Sequence, residues 1–377
     1  MICINIVDIS LAEYCFSMVL SVITMADYVP EKHKSSNGGL MKIATALLVT
    51  VTASASLALT ALPTAGYSSS TGLILGGFLI TDSQFSLDGY YGTAGVIKFQ
   101  PSYTAELKNG IISTELEYRK MLKKKWFGWG NDTDGDSTAT MDIEMFHLTG
   151  SYTAPITEEL LITAGLDARH STVYNMESSP LWSMMQGREF NPVLTIGPML
   201  KLTLIRQAPM NGEALLETGG FFQTGDVSYG GFASRGRLTL KPWNGGETAL
   251  GARYYRHFGV EQTPVPYTSS LGSQTDFRGY SDYRFTGEAW LIGQFEVRQT
   301  LLTLTDSENI SRFSFGFAAF AEAGRTAVKA SELTLENLHT DIGGGIRIGT
   351  GQDAKMRIDA AWGDEGMKIS AGFDSAF

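Results

Sequence analysis

The sequence predicts an all-β chain, a transmembrane antiparallel β-barrel of about 16 strands. Three observations carry that expectation. Segments near the C-terminus alternate apolar and polar residues at every second position, the last residue is the aromatic Phe377, and no apolar helix of spanning length follows the N-terminal leader. In residues 355–362, Met356, Ile358, Ala360 and Trp362 share one pleated face, while Lys355, Arg357, Asp359 and Ala361 share the other. The same alternation runs through 341–349 and through 367–377, where Met367, Ile369, Ala371, Phe373 and Phe377 lie on one side. A soluble sandwich strand alternates too, but it hides its apolar face beneath a second sheet. Here the apolar face is expected to meet lipid.

Composition agrees. Across 377 residues there are 42 glycines, 15 tyrosines and 20 phenylalanines, and mean hydropathy is near zero, at −0.02. Two opposite faces cancel in that average. Cys3 and Cys15 are the only cysteines, and both precede the expected mature chain, which therefore has no thiol, disulfide or Cys-based metal site.

Taken in order, residues 1–40 read as an upstream over-extension of the reading frame. Met41-Lys42 opens a better start: a positive residue, a run rich in Ala, Leu, Val, Thr and Ser, then Pro63-Thr64-Ala65. This predicts a signal peptide over 41–65, cleaved near 61–65, and a barrel over 66–377. The competing reading of the run is a membrane-spanning helix, disfavoured by its many Thr and Ser and by the absence of a positive flank. Residues 1–65 hold three basic and four acidic residues, so their removal takes the formal charge from −10 to −9. That balance argues against nucleic acid as a partner.

The first expected strand is 72–80. At about 20 residues per strand and turn, the mature chain makes roughly 14 to 16 strands, and an even number returns both ends to the periplasm. Residues 126–141, with several Gly and Asp, are an expected outer loop. An inner turn at 155–159 joins strands at 143–154 and 160–173. Residues 178–191 and 209–212 are loop or turn. A long segment, 259–283, carries Pro264, Pro266, Gly259, Gly272 and Gly279 and by parity is extracellular. After it come a strand at 284–298 (Leu291, Phe295 and Val297 out; Gln294, Glu296 and Arg298 in) and an inner turn at 305–309. The next strand, 313–324, sends Ser314, Phe320 and Glu322 to the lumen. An outer loop at 325–339, a strand at 341–349, an inner turn at 350–353, a strand at 355–362, an outer loop at 363–366 and the last strand at 367–377 complete the count. Short inner turns and long outer loops are what such a barrel should show.

No catalytic constellation stands out. There is no G-x-S-x-G elbow, H-E-x-x-H or phosphate-binding glycine loop, and His33, His147, His170, His257 and His339 are scattered. No cofactor or metal is expected and the chain is read as non-enzymatic, although a Ser, His and acid assembled from different strands would escape a linear reading. Lys123-Lys124-Lys125 beside Trp126 and Phe127 reads as a solvated strand end, or as a contact for lipopolysaccharide phosphate.

The segment Leu271-Gly272-Ser273-Gln274-Thr275-Asp276-Phe277-Arg278-Gly279-Tyr280, followed by Arg284-Phe285, resembles the outer-loop signature of the BamA/TamA superfamily of assembly and secretion barrels, the bacterial surface antigen family. Phe320-Ala321-Glu322-Ala323-Gly324 is similar to that family's Phe-x-Asp-x-Gly strand. Gly344-Gly345-Ile346-Arg347 and the C-terminal run through Gly372, Phe373 and Phe377 are similar to its closing strands, and residues 126–133 to an early segment. The resemblance implies that the loop holding Phe277, Arg278, Gly279 and Tyr280 folds into the lumen and that Arg278 pairs with the acid of the later strand, here Glu322, with Gly324 following. It also implies assisted insertion or translocation of polypeptide or lipid, outer-membrane lipid and lipopolysaccharide as surroundings, and assembly machinery for the barrel's own insertion. Family members usually carry periplasmic polypeptide-transport-associated domains. This sequence resembles a barrel-only form, so a separate periplasmic receptor or polypeptide substrate is an implied partner. A passive pore or structural barrel is the alternative, and a barrel hydrolase a third.

Overall fold

The structure, a computed structural model, describes residues 59–68, 72–81, 84–185, 192–259, 263–272, 276–305, 311–350 and 354–373. Residues 1–58, which include most of the expected signal peptide at 41–65, and the terminal Phe377 lie outside the described residues. In chain order the strands begin β1 (Leu59–Ser68), β2 (Gly72–Thr81), β3 (Phe85–Gly92), β4 (Val96–Leu107), β5 (Gly110–Trp126) and β6 (Ala139–Pro155). Next come β7 (Leu160–Tyr174), β8 (Val193–Ala208), β9 (Gly212–Gly225), β10 (Tyr229–Leu240) and β11 (Gly246–Phe258). Two short strands, β12 (Ser270–Leu271) and β13 (Phe285–Thr286), precede β14 (Ala289–Thr305), β15 (Ser311–Ala327), β16 (His339–Thr350), β17 (Ala354–Gly363) and β18 (Gly366–Phe373).

All but β12 and β13 close into one barrel of 16 strands, and each pairs antiparallel with its chain neighbours. Closure removes free sheet edges, which lipid would not tolerate. Short turns gather at one end. There the turn at 209–212 joining β8 to β9 has Met210 and Asn211 at its centre, both at positive φ (59° and 54°), the twist that such a hairpin turn needs. The opposite end carries the long connections 127–138, 175–192, 259–288 and 328–338.

Alternation along the strands sorts residues by face. Phe295, Phe317, Ile342, Trp362, Met367 and Ile369 are exposed on the outside, whereas Glu296, Glu322, Arg357 and Asp359 are buried on the inside. A hydrophobic band therefore faces lipid, and a charged layer fills the wall's inner side.

The seam differs from the one expected. A first strand at 72–80 would have met the last strand directly. Instead β1 lies between them, opposing β2 over ten residue pairs from Leu59↔Thr81 to Ser68↔Gly72 and, among the described residues, meeting β18 at Tyr67↔Ala371 and Ser68↔Ser370. Residues 59–65 fall within the expected leader, 41–65, and their small and apolar composition suits a leader's end as well as a strand. Pro63, which cannot donate to a ladder, belongs on an edge-type strand. Two loop boundaries also move. Strands β5 and β6 extend to Trp126 and from Ala139, shortening the expected loop, and β14 starts at Ala289, because Phe285-Thr286 pairs with Ser270-Leu271 instead of the barrel.

Candidate functional site

The connection between β11 and β14, residues 259–288, turns back into the lumen. Its folding is local first. Ser270–Leu271 pairs antiparallel with Phe285–Thr286 to make a stem, and the tip closes with the Tyr280 N–H donating to the Phe277 carbonyl at 3.1 Å. Leu271, Phe277, Tyr280, Phe285 and Ile292 of β14 are buried together as a small apolar core. Burying four loop side chains offsets part of the entropy of ordering the loop.

Arg278 projects from the tip into the wall and is 2% exposed. Its backbone N–H donates to Glu322 Oε2 at 2.7 Å and its Nε to Glu322 Oε1 at 2.9 Å. Nη1 donates to Glu296 Oε2 at 2.7 Å and lies 3.5 Å from Asp359 Oδ2. The guanidinium also stacks 3.3 Å from the centre of the Phe320 ring. Burial pulls the guanidinium's pKa down, but Glu322, Glu296 and Asp359 outweigh it and hold the group above its ordinary value. A buried arginine needs such compensation.

The acids are supported in turn. Glu296 Oε1 accepts from Arg298 Nε at 2.6 Å and Arg347 Nη2 at 2.9 Å, while Asp359 Oδ2 accepts from Arg357 Nη1 at 2.7 Å. Gln294 Nε2 donates to Glu322 Oε1 at 2.9 Å, and Asp341 Oδ2 accepts the Gly279 N–H at 2.5 Å. Strands β14 to β17 thus each supply inward charge or hydrogen-bonding groups to one cluster.

Glycine makes the close approach possible. A Cβ on Gly279 would lie 2.6 Å from Asp341 Cβ, and one on Gly324 would lie 2.8 Å from Leu271 Cδ2. On β16, a Cβ on Gly343 would strike the Phe320 ring at 2.3 Å, and one on Gly345 would strike Asp359 Oδ1 at 2.0 Å. The Tyr280 hydroxyl reaches Asp364 Oδ2 and the Thr340 carbonyl, both at 3.1 Å.

A second contact fastens the loop's first half to another part of the wall. Pro264 opens a short turn over Val265–Tyr267. The Tyr267 hydroxyl donates to the His170 carbonyl at 3.1 Å, and its ring lies 5.3 Å from the Arg169 guanidinium. Arg169 is held by Asp167, with Nη2 at 2.7 Å from Oδ2, and Asp167 also meets His147 Nε2 at 2.8 Å. Val265 packs with Trp126, Met141 and Met145. A cavity of about 240 Å³ remains here, lined by Glu117, Arg119, His147, Arg169, Tyr267 and Tyr283 among others.

The outer loops brace the stem. Gly130 N–H donates to the Thr286 carbonyl at 2.8 Å, and Arg284 Nη2 to the Thr133 carbonyl at 2.6 Å, while Arg284 also pairs with Glu365. Residues 126–133 are therefore part of the plug's surroundings.

Of the residues singled out in the sequence, Phe277, Arg278, Gly279, Tyr280, Glu322 and Gly324 come together at this cluster. Gly372 and Phe373 sit at the end of β18, where they oppose Arg357 and Met356 of β17. Glu296, Arg298, Arg347, Arg357 and Asp359 were visible only as inward-parity charges, and no linear signal joined them to Arg278. Asp341 had the same inward parity as Arg347, and Tyr267 and Arg169 carried no signal. Among the described residues no group of three or more His, Cys, Asp or Glu side chains is arranged to hold a metal ion.

No family model matches this sequence, and no curated protein matches it either. Solved structures do share its fold. BamA from Haemophilus ducreyi, in a form lacking POTRA domains 1-3, superposes with a TM-score of 0.56 at 12% identity, covering 84% of this chain and 70% of that one. CdiB from Escherichia coli gives 0.61 at 11% identity, over 82% of this chain and 62% of the other. CdiB from Acinetobacter baumannii gives 0.54 at 10% identity, over 83% and 59%. This chain thus spans less than two thirds of either CdiB. The shared architecture is that of bacterial outer-membrane β-barrels, and that is the fold of this chain.

Proposed function

We propose that this barrel assists insertion or translocation of polypeptide, or of lipid, at the outer membrane, without covalent catalysis. The observation that carries the reading is the lumen loop clamped to four consecutive strands, through buried Arg278 to β14, β15 and β17 and through the Gly279 N–H to β16. A loop held this firmly obstructs the channel that a passive pore would keep open. The seam supports the same reading. Among the described residues β1 opposes β18 at Tyr67↔Ala371 and Ser68↔Ser370, so the wall closes between its first and last strands. If that junction parts, the exposed strand backbone would offer groups with which an incoming strand can pair. A separate periplasmic receptor would deliver the client, and the barrel would depend on assembly machinery for its own insertion.

Planar-bilayer conductance tests this. The intact protein is expected to conduct little, and deletion of residues 259–288 should produce a large, steady conductance. A large steady conductance in the intact protein would favour a passive pore. Lipid release blocked by a serine reagent would favour a hydrolase.

A further inference from the structure

The lysine run at the outer end of β5 is sorted by a β-bulge. Strands β5 and β6 stay in register to Met121↔Ile143 and resume at Lys124↔Met141, so Leu122 and Lys123 together oppose Asp142. One extra residue resets which side chains face which way. Lys124 thereby enters the barrel, where Nζ lies 3.2 Å from Asp282 Oδ2 and 4.4 Å from the centre of the Tyr283 ring. Lys125 takes the outward parity and is exposed. Lys123, also exposed, sits at φ 51°, with its N–H donating to Asp142 Oδ1 at 2.7 Å. A non-glycine residue occupies that region at a cost, and such strain persists where the surroundings impose it.

Lys120 lies on the same outer side, since its neighbours Glu117 and Arg119 line the internal cavity and Met121 is in the internal core. Its Nζ is 5.8 Å from the centre of the Tyr174 ring. Nearby Tyr91, Leu122 and Leu148 are exposed, so the lysines rise out of an apolar and aromatic belt. The acids beside them are engaged: Asp142 Oδ2 accepts from Asn175 Nδ2 at 2.8 Å, and Glu144 Oε1 accepts from Tyr118 at 3.2 Å. A lysine on the lipid face is costly at depth and nearly free at the interface. This one lies towards the end bearing the long loops, hence the outer leaflet.

We propose that Lys120, Lys123 and Lys125 form a binding site for the phosphate groups of an outer-leaflet glycolipid. Three ammonium groups along the outer strand end match a headgroup bearing more than one phosphate, and the aromatic belt fits the adjoining acyl region. The bulge has a purpose on this reading. It gives Lys124 to the plug and leaves its two neighbours to the lipid.

The full protein is reconstituted into phosphatidylcholine vesicles with or without a bis-phosphorylated lipid A, then extracted, and the glycolipid bound per barrel is counted by native mass spectrometry. The unaltered protein should retain lipid A, and K120Q/K123Q/K125Q should lose about fivefold in affinity per lysine. The triple arginine variant should keep it. Equal retention by the glutamine variant, or equal retention of dephosphorylated glycolipid, overturns the site. Displacement by millimolar inorganic phosphate would reassign the lysines to free phosphate. Heat-modifiable gel mobility checks folding, and if the triple variant does not fold, K123Q and K125Q at the two exposed positions decide the matter by the same readout.

Discussion

Arg278 is the residue on which the plug turns, and its environment changes what a charge-swap experiment should show. A simple pair with Glu322 would predict that R278E/E322R recovers what each single reversal loses. Glu296 and Asp359 also reach the guanidinium, at 2.7 and 3.5 Å. A glutamate at 278 would meet both, so rescue should be partial. Arg278→Gln leaves three buried acids short of a partner and should cost about 3–5 kcal/mol in urea unfolding of the reconstituted barrel. The double swap should lie above the sum of the single effects by a coupling of about 0.5–3 kcal/mol, yet below the unaltered protein. Strict additivity would show that Arg278 and Glu322 do not interact directly. The pairing of these two was legible only through a resemblance in short motifs. The rest of the cluster was not, because Glu296, Arg347 and Asp359 come from three strands whose mutual register no single sequence prints.

Among the elements, β1 was the hardest to foresee and carries the most direct test. Strands β15 to β18 announced themselves by alternation, since their outward Phe317, Ile342, Trp362 and Met367 oppose charged inward neighbours. The stretch Leu59–Ser68 has no charge on either face, so period-two contrast is missing and a leader's tail looks the same. If β1 closes the barrel, the mature protein must keep it. Intact-mass measurement on protein extracted from outer membranes should place the mature N-terminus at or before Leu59. A chain starting at Gly66 would lose most of the strand that opposes β2 and would refute the seam described here. In a chain that retains it, S68C/S370C should form a disulfide under oxidation, because those two residues are direct partners across the junction.

For the whole molecule the question is how firmly the lumen is shut. A closed barrel of 16 strands is wide enough to leave an aqueous channel unless something fills it. Residues 259–288 do so from two separate holds: Arg278 in the wall of β14 to β17, and Tyr267 against β7 through the His170 carbonyl and Arg169. Between the holds the apolar stem Leu271, Phe285 and Ile292 keeps the loop compact. Releasing one hold leaves the other and the stem in place, so Arg278→Ala or Tyr267→Ala alone should give brief, small openings in planar bilayers. The double variant should conduct in long openings approaching those of the loop deletion, by more than the two single effects combined. That excess is the signature of two clamps acting on one plug, since either suffices to hold the loop in the lumen. Long openings from Tyr267→Ala alone would mean that the Arg278 cluster does not retain the plug by itself. Long openings from Arg278→Ala alone would assign the closure to that cluster and leave Tyr267 a packing contact.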